Sequence, residues 1–272
     1  MKIKFYGTRG AIPVCDRGFL EFGGNTTSIK ITRDNGRVAI IDAGTGIRNL
    51  GKDLIKEGFH QNELFIGFSH FHWDHIQGFP FFKCAYDSQM VINILAMGKD
   101  REIKNLEDIF REQMKAEYFP ISLEKMGARC NFLQIKENDL RINDATVRVI
   151  KQNHPGDSFG YRLEDNDKSL VVCTDIEHGE SVNQDIVAFC KDADLLVHDG
   201  QYTKEELLTR RGWGHSSYDQ AIEVAEQAGV KKLIITHHDP EHNDVFLSKM
   251  EKACQARFSN CMLAREGMEI TI

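Results

Sequence analysis

Apolar runs of strand length recur along the chain, at 3–6, 28–31, 38–41, 64–68, 91–95, 131–135, 145–150, 159–163, 170–173, 194–197 and 233–236. Short runs of this kind, bounded by turn residues, predict strands. There are too many for one narrow parallel sheet. In the first half, Gly23-Gly24-Asn25 and Asp34-Asn35-Gly36 fall between runs and predict antiparallel pairing through hairpins. Sheets built that way need a cover of helices or of a second sheet.

The period changes to 3.6 in four places. Ile47, Leu50 and Leu54 predict a helix over 45–57 that stops at Gly58, and Ile103, Leu106, Phe110 and Met114 predict another over 102–118 ahead of Pro120. Ala221, Ile222, Ala225 and Ala228 mark a helix over 218–228, entered through a Ser217/Gln220 capping box and closed at Gly229. Asn243 opens a last one, with Val245, Phe246, Met250 and Cys254. With no Pro-rich linker or repeat, the 272 residues read as one domain. The stretch 84–131 is the one candidate insertion, a helical lid or plain covering helices.

Composition is that of an ordinary globular protein, 41% apolar and 28% charged. A formal charge of −7 and a pI near 5.9 disfavour a broad nucleic-acid footprint, so a long nucleic-acid partner is an uphill expectation. The seven cysteines are scattered and never form a CxxC pair, which predicts reduced thiols in a cytoplasm. The Met-Lys-Ile-Lys-Phe-Tyr-Gly start lacks an apolar signal core, and no apolar run is long enough to span a membrane.

Directly after the run at 64–68 stands His70-Phe71-His72-Trp73-Asp74-His75. Three imidazoles and a carboxylate in six residues suit zinc, with manganese or iron as substitutes. In an extended segment His70 and His72 project to one side and can meet one ion, while Asp74 and His75 follow at the turn. His154 lies in the turn Gln152-Asn153-His154-Pro155-Gly156, Asp175 ends the run at 170–173, and His237-His238 follows 233–236. Each is a polar group presented by a loop behind a strand. One of His237 and His238 is expected as a ligand.

At this point the chain resembles the metallo-β-lactamase-fold hydrolases. The resemblance rests on Phe5-Tyr6-Gly7-Thr8-Arg9-Gly10-Ala11-Ile12-Pro13, Gly23-Gly24-Asn25-Thr26-Thr27, Ile41-Asp42-Ala43-Gly44-Thr45-Gly46, the HxHxDH run, and His154, Asp175 and Thr236-His237 in order. It leans toward the phosphodiesterase branch that contains ribonuclease Z and cyclic-nucleotide phosphodiesterases. Leu196-Val197-His198-Asp199-Gly200 resembles that branch's His-Glu motif with Asp for Glu, and Gly214-His215-Ser216-Ser217 its His-Ser-Thr motif.

The resemblance implies an α+β chain folded as a four-layer αβ/βα sandwich, with two metal ions at the mouth between the sheets. His70, His72 and His154 would hold one ion, Asp74, His75 and His237 the other, and Asp175 would bridge. Asp42 would orient the HxHxDH loop or merely end a strand. Two Zn2+ ions, or Mn2+ or Fe2+, would turn water into a hydroxide nucleophile and stabilise an in-line displacement at phosphorus. The expected catalytic residues are Asp74, His215 and Asp199. His215 would protonate the leaving group or neutralise phosphate oxygens, with Asp199 keeping its imidazole charged and with the amides of the 218–228 helix open to phosphate. His198 is expected to pack or to support the site, and His60, His178 and His242 to stay away from the metals.

The leading expectation is therefore a phosphodiesterase for a small substrate such as a cyclic nucleotide, as a cytoplasmic homodimer. The runner-up is tRNA 3′ processing of the ribonuclease Z kind. Thioester or lactam hydrolysis fits the His215 and Asp199 pair less well. A flavin-linked redox enzyme has no chain length left for its second domain, and every expected ligand position is filled, which argues against a non-catalytic binding protein.

Overall fold

The computed structural model describes residues 1–59, 61–142 and 144–272, so His60 lies outside the described residues. Two seven-stranded mixed sheets lie face to face between helices. In the first, β1 (Lys2–Gly7), β2 (Ser28–Thr32) and β3 (Val38–Ile41) pair antiparallel, and β3, β4 (Glu63–Gly67), β5 (Val91–Met97) and β6 (Arg129–Ile135) run parallel. In the second, β7 (Asp139–Ile142), β8 (Ala145–Gln152), β9 (Ser158–Asp165) and β10 (Lys168–Cys173) are antiparallel, and β10, β11 (Leu195–Asp199), β12 (Leu233–Thr236) and β13 (Cys261–Leu263) parallel. The short β14 (Glu269–Thr271) closes the first sheet against β1.

The hairpin expectation holds only for β2–β3. Gly23-Gly24-Asn25 lies in the long connection between β1 and β2, where the Asn25 carbonyl accepts Thr8 N and Arg9 N. Beyond β3 the crossovers are long and the strands turn parallel, as a helical crossover requires. The sequence pattern also passed over β7, β13 and β14, all of them four residues or fewer.

Strand alternation sorts the side chains into layers. Along β10, Leu170 and Val172 face the opposite sheet and Val171 and Cys173 face the outer helices. Ile234 of β12 points inward while Leu233 and Ile235 point out. The outer face of the first sheet is covered by α1 (Ile47–Lys56) and α3 (Leu106–Gln113), through Leu50, Leu54, Leu106 and Phe110 against Leu64 and Ile66. A four-residue helical turn, α2 (Trp73–Ile76), lies between them in the chain. The second sheet carries α4 (Gln184–Cys190), α6 (Tyr218–Ala228) and α7 (Asp244–Arg257), with α5 (Lys204–Thr209) beside them in sequence. The capping box of α6 forms with Ser217 and Gln220, and Asn243 caps α7.

The range 84–131 is not a helical insertion. It contains β5, a strand flanked by β4 and β6, and its α-helix is shorter than the pattern suggested because Asn105 caps Glu107 N and starts the helix at Leu106. No described helix is long and apolar enough to cross a membrane. All seven cysteines are free thiols.

At the edge remote from the strand ends that carry the histidines, Arg33 of the first sheet grips Asp165 of the second with two hydrogen bonds of 2.7 and 2.9 Å. Both side chains are under a tenth exposed. Breaking a buried pair strands the remaining charge, so Asp165→Ala is expected to lower unfolding stability at pH 7 by about 3–5 kcal/mol in a urea titration. The Asp165 carboxyl is held below its usual value, chiefly by the Arg33 bond. Its contribution is thus full above the unfolded-state pKa and lost as pH falls through the lower folded value, so the gap between variant and parent should close in acid.

Candidate metal centre

The carboxyl ends of β3, β4, β10, β11 and β12 meet at one edge of the sandwich, the usual place for a site in parallel sheet. Asp42 follows β3, Ser69 and His70 follow β4, His154 follows β8, Asp175 follows β10, Asp199 ends β11 and His237 follows β12. Asp42, Asp175 and His237 have φ of 59°, 60° and 65°, the left-handed region that non-glycine residues avoid. Three strained residues at three strand ends mark a place where backbone direction is fixed for the side chain's sake.

Two groups of donors face each other. His70 Nε2 lies 2.9 Å from His72 Nδ1, which lies 3.1 Å from His154 Nε2. In the second group Asp74 Oδ2 is 3.2 Å from both His75 Nε2 and His237 Nε2, and those two nitrogens are 3.3 Å apart. Asp175 stands between: its Oδ2 is 3.3 Å from His75 Nε2, and its Oδ1 is 3.2 Å from His237 Nε2, 3.7 Å from His70 Nε2 and 4.0 Å from His154 Nε2. Donors around a tetrahedral zinc with bonds near 2.05 Å are separated by about 3.3 Å. The residues present therefore fit a pair of divalent cations, in spacing as well as in donor type.

Charge makes the same point. Burial pushes the Asp175 carboxyl up, but His237, His75 and His70 outweigh it and hold it well below the usual range. Burial likewise opposes a charge on His237, and Asp175 and Asp74 overcome it, pushing the imidazole up to about 9. The buried carboxylates Asp42, Asp74 and Asp175 require positive charge here, which protons on the imidazoles supply and a divalent cation supplies better.

The outer nitrogens are held as metal histidines require. His75 Nδ1 is 2.8 Å from Asp42 Oδ2, His70 Nδ1 3.1 Å from Ser69 Oγ, His154 Nδ1 donates to Gly214 O at 2.8 Å, and His237 Nδ1 lies 3.0 Å from Gln201 Oε1. Asp42 also accepts the Ser69 amide and hydroxyl, so it orients the loop through two residues. Loss of such a partner costs about 10- to 100-fold in metal affinity, and Asp42→Ala should show that weakening in competition with a chelator. Close packing demands glycine twice. A Cβ on Gly10 would fall 2.4 Å from the His237 ring, and one on Gly214, whose φ is +89°, 2.1 Å from His154 Nδ1.

His238 does not reach this centre. Its Nε2 donates to Ala264 O at 2.9 Å, its ring stands edge-on to Phe22, and burial lowers its pKa to about 3. His198 and His178 form a buried pair with Nε2 atoms 3.2 Å apart, and His242 bonds to Glu206.

His215 Nδ1 sits 2.8 Å from Asp199 Oδ2 and 4.0 Å from Asp175 Oδ1, with its ring stacked at 4.9 Å on His237. Asp199 also accepts the amides of Ser216, Gln201 and Asp175. Most of the amides expected to form an anion site at the start of α6 are already taken. Ser216 N is taken by Asp199, Ser217 N by Gln220, Tyr218 N by Tyr202 O and Gln220 N by Ser217.

Four residues escaped the sequence reading: Ser69 and Gln201, which hold the outer nitrogens of His70 and His237, and Arg101 and Glu177. Buried Arg101 donates to the Phe68, Ser69 and Met97 carbonyls, fixing the approach to His70, with its guanidinium over Phe71 and Phe159. Glu177 accepts the amides of Gly212 and Gly214 and so ties the loop carrying His215 to the segment after Asp175. Its position two residues past Asp175 is the only signal the sequence carried. Among the aromatic side chains, Phe79, Phe82 and Tyr161 are core, whereas Phe81, Tyr118 and Trp213 are exposed.

This fold and this donor set define a metal-dependent hydrolase of the metallo-β-lactamase class. The chain belongs to the family described as the beta-lactamase superfamily domain, whose model matches residues 37–238. It is 24% identical to a protein named ribonuclease Z from Haloarcula marismortui over 318 aligned positions, covering 99% of this chain and 96% of the relative. Among solved structures it resembles human tRNase Z, short form (TM-score 0.67, 20% identity, 100% and 99% of the two chains). It also resembles a diphosphatase from the PhnP family (TM-score 0.73, 17% identity, 100% and 97%).

Proposed function

We propose that this protein is a dinuclear metal-dependent phosphodiesterase for a compact diester such as a cyclic nucleotide. His70, His72 and His154 would hold one Zn2+, Asp74, His75 and His237 the other, with Asp175 between them and Mn2+ or Fe2+ as substitutes. When bound, the ions supply Lewis-acid activation of water and neutralisation of charge at phosphorus. The observation that carries the reading is the Asp199–His215 hydrogen bond of 2.8 Å beside the two donor groups. With Nδ1 occupied by Asp199, Nε2 is the nitrogen left to give a proton to the leaving oxygen or a hydrogen bond to phosphate.

A second reading, tRNA 3′ processing, is favoured by relatives named ribonuclease Z and ribonuclease BN that match along their whole length. Two features weigh toward the small substrate. The net charge is −7, and the alignment with the Haloarcula relative runs to more positions than this chain has residues, so the relative carries segments without counterpart here. Assays of zinc- or manganese-loaded protein on cyclic nucleotides, dinucleotides and precursor tRNA separate the readings. Turnover of the small diesters with intact tRNA supports the first, and a precursor cut at its 3′ side with inert small diesters supports the second.

A further inference from the structure

Four of the five histidines in the two donor groups have their outer nitrogen engaged, and His72 does not. Its Nδ1 faces His70 and His154, which leaves Nε2 to carry the proton once Nδ1 serves as a donor to a cation. Among the described residues this Nε2 makes no hydrogen bond, and the His72 side chain is exposed. It points at Gly156, where a Cβ would lie 3.6 Å away.

Gly156 is also a wall of a groove of about 330 Å³ that runs along the 101–109 segment. That volume is at the lower end of small-molecule sites, about 300–1,000 Å³. Phe71, Ile103 and Ile109 give it an apolar face, and each is only partly buried. Its rim is charged. Arg101 lies buried beneath the groove on three chain carbonyls, which hold its guanidinium without cancelling its charge, and Asp157 pairs with Lys151 at 2.8 Å. At the exposed rim Glu102 and Asp108 outnumber Lys104, which disfavours a further phosphate there.

We propose that this groove is the subsite for the leaving alcohol and that it takes an uncharged nucleoside. The apolar face receives the base, and His72 Nε2–H donates to a ribose or base acceptor. This rests on the phosphodiesterase reading. In the hydrolysis of an open diester, the oxygen of water bonds to phosphorus, the bond from phosphorus to the nucleoside oxygen breaks, and that oxygen departs as the alcohol with a proton; in a cyclic nucleotide the freed hydroxyl stays on the product. The groove selects which alcohol departs. A continuing chain with another phosphate on that nucleoside would meet Glu102 and Asp108.

The test compares kcat/KM on ApA and on pApAp, which carries a phosphate at both ends, for the parent and Asp108→Lys. The parent should prefer ApA by about tenfold, and the variant should narrow the gap, as reversal of one rim charge in partly exposed surroundings implies. In parallel, adenosine added to zinc-loaded protein should shift the NMR signals of the Ile103 and Ile109 methyl groups. Equal rates on the two dinucleotides, or adenosine shifts confined to other residues, overturn the groove and leave the phosphodiesterase reading standing. Methyl shifts with no cleavage of either dinucleotide or of a cyclic nucleotide support the groove as a nucleoside site and reject the phosphodiesterase reading instead.

Discussion

An Asp175→Ala variant is expected to purify with far less than two metal ions per chain and with turnover reduced beyond the range that loss of a proton donor produces. Asp175 is the side chain that approaches both donor groups, with carboxylate oxygens 3.2 to 4.0 Å from four of their imidazoles. Its removal takes negative charge from between two cations and leaves His75 and His237 without the carboxylate that offsets their burial. Loss of a supporting partner costs about 10- to 100-fold in metal affinity, and loss of the shared donor must exceed that. Elemental analysis of the purified protein reads it directly. Full metal occupancy would mean that the two groups bind independently of this residue.

His215→Ala separates metal binding from chemistry. The imidazole contacts Asp199 and stacks on His237, and it shares a third cluster with Asp175, Asp199 and His237, yet it is not among the seven residues assigned to the two ions. The variant should therefore keep both metals and lose about 10²- to 10⁴-fold in kcat on a phosphodiester, the usual worth of a positioned proton donor. The deficit should shrink for a p-nitrophenyl leaving group, which needs no proton to depart. Loss of metal, or undiminished turnover on a poor leaving group, contradicts the assignment.

Both expectations come from side chains that the sequence already brought forward, and the reason is local. A six-residue run with three imidazoles and an acid behind an apolar strand needs no tertiary knowledge to be read as a metal site, and polar residues ending strands at His154, Asp175 and Asp199 repeat the same arrangement. The fold-level alternation was equally plain in β10 and β12, where successive residues serve different layers. Direction was not. Hairpin residues announce antiparallel pairing, but the same apolar runs serve β3 to β6 as parallel strands, and only the length of the crossovers tells them apart. The choice between His237 and His238 also lay beyond the pattern, since it depends on the left-handed backbone at His237 that sends adjacent rings in different directions. Arg101 and Glu177 act on backbone atoms of distant loops, which no local spacing announces. The start of α6 shows the opposite error: a capped helix suggested free amides, and the acceptors that occupy them come from Asp199 and Tyr202, outside the motif.

The central claim is that the paired donor groups and the Asp199–His215 hydrogen bond serve hydrolysis at phosphorus. The most direct measurement strips the protein with chelator, restores zinc stepwise, and follows hydrolysis of bis(p-nitrophenyl) phosphate, nitrocefin and a glutathione thioester at each metal content. Phosphodiester turnover that rises to a plateau at two ions per chain, with the lactam and thioester untouched, is the predicted result. Turnover of the lactam or thioester in preference to the diester, or activity indifferent to metal, would contradict the account.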